Sequence, residues 1–187
     1  MPTLLVVTTS TRPVRIGPVI TDWFASFARE HGGFDVDVAD LGELNLPMMD
    51  EPQHPRLGQY EREHTKRWSA QVKAADAIVF VTPEYNGTFT AALKNAIDYL
   101  SAEWAYKPVS FVSYGGLSGG LRAVLSFKPI ASAMGMYAIP QSVALPMPWA
   151  MIQDSVLHPN DIALEAATTT LDELLKIGTA LAPLRQQ

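Results

Sequence analysis

The chain alternates two kinds of apolar patterning. Short unbroken runs, Leu4-Leu5-Val6-Val7 and Ala77-Ile78-Val79-Phe80-Val81, carry no polar position. Such runs suit parallel strands covered on both faces. Between them, Val19, Ile20, Trp23, Phe24 and Phe27 recur at three- and four-residue spacing, which puts them on one side of a helix. The pattern predicts strands over 3–9, 34–39, 77–82, 108–114 and 137–145. It predicts helices over 18–30, 59–75, from a Thr88 or Thr90 cap to about Ser101, over 121–134 and within 159–181. The stretch 40–58 holds Pro47, Pro52 and Pro55 and reads as irregular. A loop that long in a compact domain is usually functional or lies at an interface.

Strand and helix alternating in this way imply an α/β fold: a five-stranded parallel sheet, doubly wound, with helices on both faces. Right-handed crossovers then bring the loops after the first, third and fourth strands to one edge of the sheet. No repeat or linker interrupts the pattern, so a single domain over 1–187 is expected.

Composition narrows the chemistry. A chain with 48% hydrophobic and 18% charged residues can bury an ordinary core. A net charge of −5 argues against a nucleic-acid partner, which needs clustered basic surface. The absence of cysteine removes disulfides and thiolate nucleophiles, and the four histidines (His31, His54, His64, His158) have no metal-ligand spacing. No basic leader precedes the first strand, and no apolar run nears the roughly 18 residues of a membrane span. A cytoplasmic protein without a membrane or metal partner is therefore expected.

Three loops leave the carboxyl ends of predicted strands. The first, Ser10-Thr11-Arg12-Pro13-Val14-Arg15-Ile16-Gly17, follows a buried strand and opens a helix. Its hydroxyls, its arginines and the N–H groups at the helix start are the donors a phosphate needs. A surface turn with two solvated arginines is the plainer alternative. The loop is neither GxGxxG nor GxxxxGK[ST], which disfavours a dinucleotide or nucleoside-triphosphate site. The second, Pro83-Glu84-Tyr85-Asn86-Gly87, contains the turn pair Asn-Gly; it reads as a tight turn, or as amides and a Tyr85 ring lining a flat ligand. The third, 113–120, is rich in glycine, which allows close backbone approach or simply tight turning.

Together these loops resemble the NADPH-dependent FMN reductase family, whose members have a flavodoxin-like fold. The residues that carry the resemblance are Ser10, Arg12, Arg15 and Gly17, then Pro83-Glu84-Tyr85-Asn86 followed by Leu93-Lys94-Asn95-Ala96-Ile97-Asp98. A third signature is Lys107-Pro108-Val109 leading to Ser113–Gly120. The likeness spans about the first 145 residues. Thr9 stands where the family usually has Gly, and Thr90-Ala91 where many members have Pro-Gly.

The resemblance implies that Ser10, Arg12 and the backbone of Arg15, Ile16 and Gly17 bind the FMN phosphate. It implies that Pro83, Glu84, Tyr85, Asn86 and Gly87 flank the ribityl chain and ring, with Ser113, Gly115 and Gly116 on the other side. NADPH or NADH is the implied co-substrate and a quinone, free flavin or similar small molecule the acceptor, served in turn at one place. No catalytic side chain is implied, because the flavin carries the chemistry. A homodimer or homotetramer is also implied. The loop 46–55 with Trp104, Tyr106 and Trp149 is expected to wall the pocket, Trp104 being the first choice for an interface. Arg62, Lys66 or Lys107 could meet the nicotinamide cofactor's 2′-phosphate.

Two rival readings are open on residues alone. An electron-carrying flavodoxin would use the same fold, but usually without arginines in its first loop. A hydrolase is suggested by the spelling Gly116-Leu117-Ser118-Gly119-Gly120, a GxSxG with no evident Asp/His partner order.

Overall fold

In the computed structural model, which describes residues 1–185, the apolar runs become β1 (Thr3–Thr8), β3 (Ala77–Pro83) and β4 (Pro108–Gly115). β2 (Asp35–Asp40) lies beside β1, and the strands pair in the parallel order β2-β1-β3-β4, with the fifth position beyond β4. Gln186 and Gln187, the end of the expected domain, lie outside the described residues.

Strand alternation divides the core into two layers. Leu4, Val6, Val79 and Val112 face α1 (Gly17–His31) and α6 (Asp161–Arg185), packing on Ile20, Phe24, Leu171 and Leu174. Leu5, Val7, Ile78, Phe80 and Phe111 face α3 (Glu63–Ala74), α4 (Ala91–Asp98) and α5 (Leu121–Ala133), packing on Trp68, Val72, Leu93 and Phe127. The central strands are mostly apolar because neither face of the sheet meets water, and the buried hydroxyls of Ser110 and Ser113 in β4 both donate to carbonyls. Their burial is the main driving force for closing both helical layers.

The structure departs from the sequence reading in four places. The expected fifth strand over 137–145 is two short segments, β5 (Tyr137–Ala138) and β6 (Val143–Pro146), both parallel to β4. Pro140 between them has no N–H for the ladder, and the detour is held by Ser110 Oγ donating to the Gln141 carbonyl at 2.6 Å. The stretch 40–58 contains a short helix, α2 (Leu41–Leu44), capped by Asp40, and a 3-10 turn at Pro55–Leu57. A small antiparallel hairpin, β7 (Ile152–Gln153) with β8 (Val156–Leu157), precedes the last helix. Finally α3 starts at Glu63, four residues later than the pattern suggested, and α4 stops at Asp98 before a 3-10 turn at Ala102–Trp104.

Candidate cofactor site

The order 2-1-3-4-5 reverses direction between β1 and β3, and ligands of open α/β sheets sit outside the carboxyl ends of the strands at such a point. The three loops singled out above meet there.

The first loop runs from β1 to the start of α1. The Thr9 N–H donates to the Val81 carbonyl at 3.0 Å and so extends the ladder by one residue. The Thr9 carbonyl accepts the Thr90 hydroxyl at 2.9 Å, while Thr90 Oγ1 also accepts the Leu93 N–H and caps α4. The two departures from the family pattern therefore bind each other. Ile16, the residue before α1, contributes no side-chain cap, and Pro18 occupies the first turn. Among the described residues, the N–H groups of Ile16, Gly17 and Val19 have no backbone or side-chain acceptor.

Beside those N–H groups stand three buried hydroxyls without a hydrogen-bond partner among the described residues: Thr9 Oγ1, Ser10 Oγ and the Tyr114 hydroxyl. Ser10 and Tyr114 occupy the space a side chain at Gly17 would need. A Cβ there would lie 2.2 Å from Ser10 Oγ and 2.9 Å from the Tyr114 hydroxyl. Burial pushes the Tyr114 pKa up to about 12, with the neighbouring Ser10 hydroxyl and then the Arg15 charge working against it, so the hydroxyl stays a neutral donor. Buried polar groups are nearly always paired, and several orphaned donors around one helix N-terminus fit a phosphate. The donor set thus fits the phosphate of FMN.

The two arginines part company. Arg12 is exposed, with no side-chain partner among the described residues. Arg15 turns back: its Nη1 donates to Asp40 Oδ1 at 2.5 Å and to the Ser10 carbonyl at 2.8 Å. The hydrogen bond to Asp40 raises the guanidinium pKa against the opposing effect of burial.

In the second loop, Tyr85 and Thr88 exchange backbone hydrogen bonds of 2.8 and 3.1 Å across Asn86 and Gly87. Both central residues have positive φ, 50° and 82°, the geometry for which Asn-Gly is selected. Pro83 ends β3, buried, and the Glu84 N–H donates to the Tyr114 carbonyl at 3.0 Å. The Glu84 carboxylate points into the third loop. It accepts from Ser118 Oγ at 2.9 Å, from the Arg122 N–H at 3.2 Å and from Arg122 Nε at 2.6 Å. Burial pushes its pKa up, but the hydrogen bonds from Arg122 and Ser118 and the Arg122 charge outweigh that, and the net shift is downward. Glu84 therefore caps α5 from outside and ties two loops together.

The third loop is shaped from beneath. Ser113 is buried and donates to the Gly119 carbonyl at 2.8 Å, so its hydroxyl is spent inside the loop. Gly115 accepts the Met147 N–H at 2.8 Å, which brings Met147 and Trp149 to the same edge. Gly116 faces open space. Ser118, the serine of the GxSxG spelling, serves the Glu84 carboxylate and has no imidazole partner among the described residues. The hydrolase reading has no support here.

The loop 46–55 is held onto α4. Asn95 Nδ2 donates to the Pro47 carbonyl at 2.7 Å, Asn95 Oδ1 accepts the Met49 N–H at 3.0 Å, and the Tyr99 hydroxyl donates to Asp50 Oδ1 at 2.9 Å. The asparagine of the Leu-Lys-Asn-Ala segment thus anchors that loop, a role sequence spacing did not reveal.

Of the aromatics expected in the wall, Trp104 is fully buried, its Nε1 donating to the Ile97 carbonyl at 3.1 Å, with its ring against Trp68 and Phe80. It is core and no interface residue. Tyr106 precedes β4, at the opposite end of the sheet from the site, and does not wall the site of its own chain. Lys107 is excluded from the nicotinamide phosphate for the same reason; it is buried with its ammonium on the Ala75 and Lys73 carbonyls at the end of α3.

Comparison with known proteins bears on the family and the fold. Residues 2–150 match the family described as NADPH-dependent FMN reductase. An NAD(P)H-dependent FMN reductase of Schizosaccharomyces pombe is 40% identical over 160 residues, covering 84% of this chain and 80% of that protein. One from a Nectria species is 32% identical over 189 residues, covering 95% and 94%. In three dimensions, the flavoenzyme NAD(P)H:(acceptor) oxidoreductase FerB of Paracoccus denitrificans superposes with a TM-score of 0.72 at 19% identity, over 96% of this chain and 98% of that one, which confirms the flavodoxin-like fold. The chain belongs to the NADPH-dependent FMN reductase family.

Proposed function

We propose that this chain binds FMN across its three loops and passes reducing equivalents from NADPH or NADH to a flat, oxidised small molecule. The observation that carries this reading is the set of buried hydroxyls of Thr9, Ser10 and Tyr114, unpaired among the described residues, around the uncapped start of α1. Bound FMN supplies the redox chemistry, accepting from the nicotinamide and donating to the acceptor.

The chain's own residues then have distinct tasks. Ser10, the N–H groups of Ile16 and Gly17, and Arg12 hold the phosphate. The N–H groups of Asn86 and Gly87 at the hairpin tip, without an acceptor among the described residues, hydrogen-bond the polar edge of the ring. Gly116 leaves room for the ring to lie against backbone. No side chain needs to move a proton for transfer between nicotinamide and flavin.

The acceptor side is apolar. Leu117, Met147 and Trp149 are exposed around the third loop and suit a planar aromatic acceptor such as a quinone or an azo compound. Related proteins include an NADPH azoreductase of a Bacillus strain and a probable NADPH:quinone oxidoreductase of Oryza sativa. Leu121 and Leu125 continue the apolar surface along α5, and a second copy of the chain covers them in a homodimer or a dimer of dimers. The enzyme works in the cytoplasm; among the described residues no helix is long and apolar enough to cross a membrane.

An anaerobic absorption titration tests the reading. With FMN added, the bound flavin band should bleach with NADPH and return with a quinone. A bound flavin that NADPH leaves oxidised would instead mark an electron carrier.

A further inference from the structure

The loop pattern offers the Arg15 side chain as a phosphate donor, but its guanidinium is already committed. Nη1 bridges the Ser10 carbonyl at 2.8 Å and Asp40 Oδ1 at 2.5 Å. The same Asp40 oxygen accepts the Gly42 N–H at 2.8 Å and so caps α2. Both side chains are largely shielded, with 18% and 12% of their surface exposed, so water competes little for the pair. The Arg15 N–H also donates to the Arg12 carbonyl at 3.2 Å and closes the turn between the arginines.

Gly42 supplies a second, independent observation at this pair. The guanidinium lies flat on it: a Cβ would sit 2.8 Å from Arg15 Cζ and Nη2 and 2.9 Å from Nη1. Only glycine leaves that room.

We propose that Asp40, acting through Arg15, is a positioning residue that holds the Ser10–Gly17 loop in its phosphate-binding shape. The proposal rests on the assignment of that loop to the FMN phosphate. Asp40 neutralises Arg15, so Arg15 shapes the loop while Arg12 and the helix N–H groups attract the anion. The pair also links the phosphate loop to the end of β2, from which α2 leads into the loop over 46–55.

The test compares FMN with riboflavin, which has the ring and ribityl chain but no phosphate. Dissociation constants are read from quenching of flavin fluorescence by the apoprotein. Wild type should prefer FMN. Asp40→Asn should weaken FMN roughly tenfold or more, the scale of a lost charge-assisted hydrogen bond, and leave riboflavin unchanged. Gly42→Ala keeps every charge and displaces only the end of a long side chain, so it should fold normally and show the same selective loss. Equal losses for both flavins, or no loss for FMN in either variant, would overturn the clamp. A wild type that does not distinguish FMN from riboflavin would overturn the phosphate assignment itself, and the clamp with it.

Discussion

The hydroxyls of Ser10 and Tyr114 meet over the α-carbon of Gly17, one from the end of β1 and one from β4, two strands away in the sheet. Glycine at 17 is therefore a packing requirement at the start of α1. Its φ is not the reason, since it is not among the residues with positive φ. Gly17→Ala should crowd both hydroxyls and weaken FMN by at least about tenfold, or about 1.4 kcal/mol, while far-ultraviolet circular dichroism stays unchanged. Flavin fluorescence titration measures it, and an unaltered affinity would remove these hydroxyls from the site.

Arg12→Ala should also weaken FMN, and the dependence of affinity on salt should flatten, because an exposed charge acts through a screened field. A titration at low and high ionic strength reads both effects. Equal salt dependence in variant and wild type would show that Arg12 does not face the anion.

Glu84 gives a pH signature. Its pKa in the folded chain lies below the ordinary value of 4.5, since the hydrogen bonds and charge of Arg122 overcome the effect of burial. A depressed carboxylate stabilises the fold fully above the unfolded value, and that contribution is lost as pH falls through the folded value. The difference in urea midpoint between wild type and Glu84→Gln should be constant above 4.5 and shrink below it. A difference that ignores pH would rule out the ion pair as its cause.

Lys107 acts in the opposite sense. Burial, reinforced by the charge of Arg185, lowers its pKa from 10.5 to about 8. Between those values the unfolded chain binds the proton more readily, so this group makes stability rise with pH from about 8 to 10.5. Lys107→Met should lose that rise, as followed by thermal melts across the interval.

Trp104→Ala should cost about 3–5 kcal/mol, the usual price of emptying a large buried aromatic site. Trp149, 55% exposed, should tolerate alanine within about 0.5 kcal/mol. The same Trp149 variant should raise the KM for a quinone while leaving FMN affinity intact. Urea unfolding and steady-state kinetics separate the two residues.

The sequence by itself determined the layered α/β fold, because unbroken apolar runs such as 77–81 are stable only when covered on both faces, and it determined the Asn86-Gly87 turn, because few residue pairs accept two positive φ values. It also marked the three loops, since local motifs survive in linear order. What each side chain does there was decided only in three dimensions. Arg12 and Arg15 look alike in sequence, yet Asp40, 25 positions after Arg15, claims one and leaves the other. Glu84 reaches Ser118 and Arg122, Asn95 reaches back to Pro47, and Trp104 is drawn into the core by Trp68 and Phe80. Pairings across such separations depend on which strands become neighbours and how the helices pack over them, and periodicity along the chain carries no record of that.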